Sequence, residues 1–191
     1  MIAEGGRFAF AAFGSRPLDA FHRVVGDGVF LTEIFHALRR EELCKLKVKD
    51  AQHARKGVPH LKVSGKGGKT RYLPLHPGTN VLIHDYLAAT GHGTDENGAL
   101  FRPVSNSRTR RLDRAITANG IYRLVRTYSA QLGFEIGPHS LRATAATNAL
   151  DHEADIAKVQ EWLGHANIAT TRIYDHRRTR PEDSPTFKVA Y

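Results

Sequence analysis

Residues 137–174 read GPHSLRATAATNALDHEADIAKVQEWLGHANIATTRIY, and they carry a succession of helix start and stop signals. Pro138 favours entry into a first helix, because its ring fixes φ near the helical value. Asp155 can cap a second helix, which Gly164 ends. Asn167 can cap a last helical turn that leads to Tyr174. The segment therefore predicts two helices and a final turn joined by tight connections.

The residues upstream predict further helices and a small sheet. Two extended runs flank a glycine-rich connection and so predict a β-hairpin, with Pro74 at an edge or a strand end. Apolar residues at helical spacing predict the helices. The predicted elements are a helix over 29–46, β-like runs at 46–48, 61–63 and 71–75, a helix between 77 and 91, and an amphipathic helix over 116–132.

The two ends of the chain are less regular. Several glycines, among them Gly14, Gly26 and Gly28, interrupt any periodicity near the N-terminus. We therefore expect residues 1–28 to be a leader or linker and residues 181–191 to be an irregular tail. The whole chain is expected to be mostly helical with one small antiparallel sheet.

The charge composition fits a nucleic-acid partner and fits a merely soluble basic protein about equally well. The 191 residues include 28 Lys and Arg against 19 Asp and Glu, which gives a formal charge of +9. Such an excess fits a polyanion, of which nucleic acid is the commonest. The single Cys44 excludes an intrachain disulfide and a Cys-rich zinc site, and it favours a reducing, cytoplasmic location. The apolar run at residues 8–13 is too short to span a membrane.

Four short segments hold the charged and nucleophilic side chains of a candidate active site. They are ALRREEL (37–43), GKGGKTR (65–71), PHSLR (138–142), and LGH (163–165) followed by TTRIY (170–174). Any one of them is weak evidence, because a lone H-x-x-R is common by chance. The signal lies in all four occurring in order with consistent spacing.

In this order the segments resemble the tyrosine recombinase (phage integrase) family. That family has an arginine in G-L-R-x-x-E-L, a lysine in a hairpin of G-K-G type, then H-x-x-R. It closes with L-G-H and a nucleophilic tyrosine nine positions later, and here 174 − 165 = 9. The resemblance covers roughly residues 29–177. It implies a catalytic domain over residues 29–180 of the α+β class, mostly helical with a small three-stranded antiparallel sheet.

The resemblance implies a role for each matching residue. Tyr174 would attack a DNA phosphodiester and hold the strand as a 3′-phosphotyrosine, so the reaction would be site-specific DNA recombination or integration. Arg39 and Arg142 would clamp the scissile phosphate with forked donors that stay charged at any working pH.

Proton transfer and support fall to four further residues. Lys66 would be the general acid for the leaving 5′-oxygen, with Lys69 as the rival. His139 would assist proton transfer at the tyrosine, and His165 would hydrogen-bond the phosphate. Glu42 would brace the arginine side of the site.

The implied partner is double-stranded DNA, bound by a homo-tetramer, with no metal or other cofactor, because two guanidiniums can stabilise the phosphate charge. Basic side chains predicted to contact DNA are Lys69, Arg71, Arg108, Arg110 and Arg111. A solvated charged loop explains the arginines of residues 108–111 equally well.

Two departures leave alternatives open. Ala37 stands where the family has glycine, which could alter the turn that delivers Arg39, because only glycine is free at positive φ. Family members usually carry an N-terminal DNA-binding domain, for which this chain is too short, so we expect a truncated or minimal member. The alternatives are a non-catalytic DNA-binding remnant and a relaxing enzyme like the type IB topoisomerases.

Overall fold

The computed structural model describes residues 20–103, 113–131, 133–177 and 184–188. The helices within these ranges are α1 (Ala20–His36), α2 (Arg40–Cys44), α3 (Pro77–Thr90), α4 (Ala118–Gln131), α5 (Pro138–Asp151), α6 (Ile156–Leu163) and α7 (Ile168–Arg172). The strands are β1 (His53–Arg55), β2 (Val58–Ser64) and β3 (Thr70–Pro74), and short 3₁₀ turns occupy Val48–Ala51, Lys66–Gly68 and Pro185–Lys188. The predicted class, α+β and mostly helical with a small three-stranded antiparallel sheet, is confirmed.

The sheet has the order β1-β2-β3, and both pairs are antiparallel. Leu61 pairs with Leu73 and Val63 with Arg71 across the predicted hairpin. Since side chains alternate along a strand, these four residues share one face, and Leu61, Val63 and Leu73 are buried there. Pro74 ends the edge strand β3, where a missing N–H breaks no ladder.

Two apolar clusters hold the helices together. The larger one joins α1, the sheet, α3, α4 and the start of α5, and its largest buried side chains include Tyr86 and Phe101. The smaller one consists of Ala37, Ala146, Leu150, Val159 and Leu163. Because it packs α5 and α6 against the end of α1, it fixes the segments that carry three of the four sequence motifs.

The helix predicted over residues 29–46 is in fact two helices, and it begins earlier than expected. α1 starts at Ala20, inside the predicted leader or linker, and ends at His36, whereas α2 begins at Arg40. The chain turns between them at Ala37, whose φ is 46°. Apolar periodicity continues through this break, since Leu38 and Leu43 are both buried, so the pattern alone could not reveal it.

The first predicted β-like run is also corrected. Residues 46–48 form one bridge, from Lys47 to Ala99, and then enter a 3₁₀ turn. The strand that completes the sheet beside the predicted hairpin is β1, His53–Arg55, instead. This strand is mostly exposed, so it lacks the buried alternation by which a strand is recognised in sequence.

The signals in residues 137–174 are confirmed. The Asp155 side chain accepts hydrogen bonds from the N–H groups of Ala157 and Lys158, and that of Asn167 accepts one from Ala169. Gly164 ends α6 with a φ of 65°, a conformation that favours glycine.

Candidate active site

The turn after α1 delivers Arg39 to the site. Arg39 precedes α2, and its backbone N–H donates to Glu42 Oε2 over 2.9 Å. Its guanidinium donates to Glu42 Oε1 over 3.0 Å and to the carbonyl of Gly164 over 3.3 Å. With its side chain 38% exposed, Arg39 is both anchored and open to a ligand.

Glu42 is the buried brace of this corner. It is 5% exposed, and the Arg71 guanidinium grips it with two parallel bonds of 2.9 Å. Burial alone would raise the pKa of Glu42, but hydrogen bonds from Arg71 and from the Arg39 backbone hold that pKa below its ordinary value. Arg71 Nε also donates to the Trp162 carbonyl, so the brace ties β3 to the end of α6.

Arg142 lies at the centre, on α5, and is 4% exposed. Its Nη1 donates to the carbonyl of Ala37 and its Nη2 to that of Leu163. Burial and the nearby Arg39 charge lower the pKa of Arg142 to about 10, so it remains a cation at neutral pH. Three of its five N–H groups bond within the described residues, counting one to His165.

His165 follows the helix stop at Gly164 and lies against Arg142. Its Nε2 is 3.2 Å from Arg142 Nη2, and its Nδ1 is 3.0 Å from the Thr171 hydroxyl. Burial and then the Arg142 and Arg39 charges lower the pKa of His165 to about 4. The imidazole is therefore neutral at pH 7, with Nε2 accepting from Arg142 and Nδ1–H assigned as the donor to Thr171.

Tyr174 completes the cluster from the segment that follows α7. Its ring stacks on His165 with a centroid separation of 6.2 Å. The ring is partly buried against the smaller apolar cluster. Arg39, Glu42, Arg142, His165 and Tyr174, all predicted from the motifs, are thus brought together.

The segments that hold Lys66 and His139 adjoin this cluster. Lys66 begins the 3₁₀ turn between β2 and β3. The preceding Gly65 adjoins the brace, since a Cβ there would lie 3.4 Å from Glu42 Oε1. His139 is exposed on the first turn of α5, one turn before Arg142, and makes no hydrogen bond within the described residues.

The predicted DNA contacts are distributed differently. Lys69 is exposed beside the hairpin turn, whereas Arg71 is committed to Glu42 and Trp162. Arg108, Arg110 and Arg111 lie outside the described residues. The signal for the bracing role of Arg71 was available, because Arg71 lies two residues before the apolar Leu73 on β3 and therefore shares its inward face.

Two absences hold for the described residues, one concerning metals and one concerning membranes. No group of three or more His, Cys, Asp or Glu side chains is placed there to hold a metal ion. Within the same ranges, none of the helices combines the length and apolar character needed to cross a bilayer.

Comparison with known proteins agrees with this geometry. The model of the phage integrase family matches residues 24–180. The chain is 36% identical over 149 residues to tyrosine recombinase XerC of Corynebacterium glutamicum (76% of this chain, 45% of XerC). It is 34% identical over 143 residues to tyrosine recombinase XerA of Pyrococcus horikoshii (75% and 47%).

A solved structure adds the fold. The XerH site-specific recombinase bound to difH substrate, in a pre-cleavage complex, superposes with a TM-score of 0.72 at 26% identity, covering 93% of this chain and 50% of XerH. The chain thus spans about half the length of these relatives. With the family model matching most of its residues, the chain belongs to the phage integrase family.

Proposed function

We propose that this chain cleaves and rejoins double-stranded DNA at specific sites through a 3′-phosphotyrosine on Tyr174. One observation carries the proposal: two guanidiniums, Arg39 and Arg142, meet a histidine and a tyrosine at one place. Phosphoryl transfer depends on positioning and on stabilising charge at the phosphate oxygens, which is what this set of groups offers.

The proposed steps balance without an energy source. The Tyr174 oxygen attacks phosphorus and forms a P–O bond, while the P–O5′ bond breaks and the 5′-oxygen leaves with a proton. The tyrosine proton passes to a base, for which we assign His139, and Lys66 protonates the leaving oxygen. A 5′-hydroxyl from another strand reverses the steps, and because the phosphodiester-type bond is retained throughout, ligation needs no ATP.

His165 has a proton-linked part in this scheme. Its low pKa arises in part from the Arg142 and Arg39 charges. A phosphate bound among these guanidiniums would offset their field, so the pKa of His165 would rise on binding. Nε2 could then turn from accepting the Arg142 bond to donating a bond to a phosphate oxygen.

The larger assembly is also part of the proposal. We assign the catalytic domain to the residues from α1 to 180 and a tail to residues 181–191. The chain would act in the cytoplasm as a homo-tetramer on two duplexes, with Lys69 and the arginines at 108, 110 and 111 contacting phosphates. The chain's net charge of +9 supports such contacts. For Arg71, the pairing with Glu42 supports a bracing role in place of the DNA contact.

A covalent-capture experiment tests the nucleophile. The protein is incubated with a pool of nicked duplexes of randomised sequence, so that cleavage next to a nick releases a short fragment and traps the enzyme. Wild type is expected to form an SDS-resistant adduct and to leave a 5′-hydroxyl end. Tyr174→Phe should form none, whereas Tyr122→Phe, at a tyrosine 38% exposed on α4, should match wild type.

The other outcomes discriminate between functions. An adduct that survives Tyr174→Phe refutes the nucleophile. Binding of the pool by wild type in a gel-shift assay, with no adduct, contradicts the catalytic proposal and favours a non-catalytic DNA-binding protein. Relaxation of a supercoiled plasmid without any site preference would contradict site-specific recombination and favour a topoisomerase activity.

A further inference from the structure

Glu33 on α1 is a buried acid to which the proposed mechanism gives no role. It is 0% exposed, and neither carboxylate oxygen has a hydrogen-bond partner in the described part of the chain. An unpaired buried carboxylate is costly to a folded protein. Its retention at this position therefore calls for an explanation.

The charged and titratable groups near Glu33 lie on α5, on α2 and on α1 itself. Arg142 on α5 exerts the strongest attraction on its charge, followed by Arg40 on α2. Burial raises the pKa of the thiol of Cys44, also on α2, and the nearby Glu41 and Glu33 charges add to that rise. His36, one turn along α1, bonds instead to the Thr32 carbonyl and to the backbone N–H of His76.

The packing of α1 gives the reason for the contact with Arg142. Glu33 lies in the last turn of α1, which ends at His36, and Ala37 follows directly. The Ala37 carbonyl is the acceptor for Arg142 Nη1, and α1 packs against α5. Glu33 is fully buried and interacts with the Arg142 charge, so its carboxyl approaches Arg142 from within the protein and not from the solvent that would deliver a substrate.

We propose that Glu33 is a positioning residue whose proton sets how much positive charge Arg142 presents to a bound phosphate. With the proton on, Arg142 keeps its full charge for the ligand. With the proton off, the carboxylate offsets part of that charge from behind and weakens anion binding. This inference rests on the proposed role of Arg142 as a phosphate ligand.

Burial brings the pKa of the Glu33 carboxyl into a pH range in which the folded protein can be titrated. It raises the pKa of Glu33 to about 8, against the opposing pull of Arg142 and Arg40. Among its neighbours, the pKa values of His36 and His165 are lowered to about 4 and the pKa of Arg142 to about 10, mainly by burial, which raises the pKa of Cys44 to about 11. A titration of the sulfate-free protein between about pH 6.5 and 9 therefore changes Glu33 while these neighbours keep their charge states. Any rise in the pKa of His165 on sulfate binding is common to wild type and Glu33→Gln, so the comparison of the two isolates Glu33.

Sulfate is the probe, because it is tetrahedral and remains a dianion throughout this range. Its dissociation constant is measured from the side-chain N–H signals of Arg39 and Arg142 by NMR. Wild type and Glu33→Gln should bind equally at about pH 6.5, where both side chains are neutral. At about pH 9 wild type should bind about tenfold more weakly, the order expected for one unit charge near the site at an effective dielectric constant of about 20.

Two further variants and a direct titration complete the design. Glu33→Met should behave as Glu33→Gln does, since it also cannot ionise. Glu41→Gln removes the same charge at a position 57% exposed and should retain the wild-type pH dependence. The ¹³C signal of the Glu33 carboxyl in wild type should titrate with a midpoint near pH 8.

Three results overturn the inference: parallel curves for wild type and Glu33→Gln, a carboxyl midpoint below about pH 6, or no sulfate response of either arginine at any pH. Parallel curves, with or without a constant offset, would reflect a purely structural role. Failure of the proposed function is seen separately, as the absence of the Tyr174 adduct whatever the sulfate titration gives.

Discussion

Glu42→Gln removes the charge of the buried brace while nearly preserving its shape. The carboxylate accepts four hydrogen bonds, from the Arg39 backbone, Arg39 Nη1, and Arg71 Nη1 and Nη2. A glutamine has only one acceptor oxygen, so the two bonds at the other position are lost and two donors face an amide NH₂. The Arg71 side chain, 16% exposed, is then left with an uncompensated charge.

The cost follows from these losses. A hydrogen bond to a charged group contributes about 1.5 kcal/mol or more, so two lost bonds amount to about 3 kcal/mol. Removal of one partner from a buried ion pair costs about 3–5 kcal/mol. The bond to the Arg39 guanidinium adds little to this sum, because that side chain is 38% exposed and screened by water. We therefore expect Glu42→Gln to lower the free energy of unfolding by about 3 kcal/mol.

Urea unfolding at neutral pH measures this change as a shift in the midpoint at constant m-value. Glu41→Gln is the matched control, since Glu41 pairs with Arg40 at the surface and should change stability by less than about 0.5 kcal/mol. If the free energies of unfolding of the two variants lie within about 0.5 kcal/mol of each other, Glu42 does not brace the site, and the bracing role assigned to Arg71 is refuted as well.

The same pair predicts a pH dependence. The folded pKa of Glu42 lies below its ordinary value of 4.5, so the unfolded chain binds this proton more readily. The contribution of Glu42 is therefore complete above pH 4.5 and is lost as the pH falls through the folded pKa. Wild type should lose stability in acid more steeply than Glu42→Gln, and parallel acid curves would contradict the pairing.

Three further substitutions test the backbone of the site. Ala37→Gly relieves the strain of a positive φ, which is worth about 1 kcal/mol. It also loses a buried methyl worth about 0.8 kcal/mol and raises the entropy of the unfolded chain. Thermal unfolding should therefore show a change in stability under about 1 kcal/mol, and a loss above about 2 kcal/mol would contradict this. Gly164→Ala places a Cβ 2.9 Å from Arg71 Nη1 at a φ of 65°. The free energy of unfolding measured in urea should therefore fall by at least about 1 kcal/mol, and the adduct yield should fall as well. Wild-type values in both measurements would refute the close contact between this position and Arg71. Asp155→Ala removes the cap of α6 and should cost about 1 kcal/mol while the adduct yield per folded molecule stays at the wild-type level, and an unchanged urea midpoint would argue against the cap.

The parts of the fold that sequence predicted are those set by local chemistry. The cap at Asp155, the stop at Gly164 and the turn at Gly67, whose φ is 73°, are each decided within a few residues. The hairpin register also follows from alternation of apolar side chains around a short glycine turn.

The features that sequence missed depend on distant contacts. The break at Ala37 is stabilised by Arg142, 105 residues away, which donates to the buried Ala37 carbonyl. Arg71 matched a basic DNA contact by composition, yet its partner Glu42 lies 29 residues earlier in another element. Burial of Glu33 beside Arg142 could not be read from the α1 pattern, because packing of α1 against α5 decides it.

Peptide mapping of the trapped adduct shows directly whether Tyr174 is the nucleophile. Trypsin cuts after Arg172 and Arg177 and so isolates the peptide IYDHR, residues 173–177. After nuclease digestion, mass spectrometry should find a 3′-linked nucleotide on that peptide, at Tyr174. A nucleotide on any other tyrosine, serine or threonine peptide, with residues 173–177 unmodified, would show that Tyr174 is not the nucleophile.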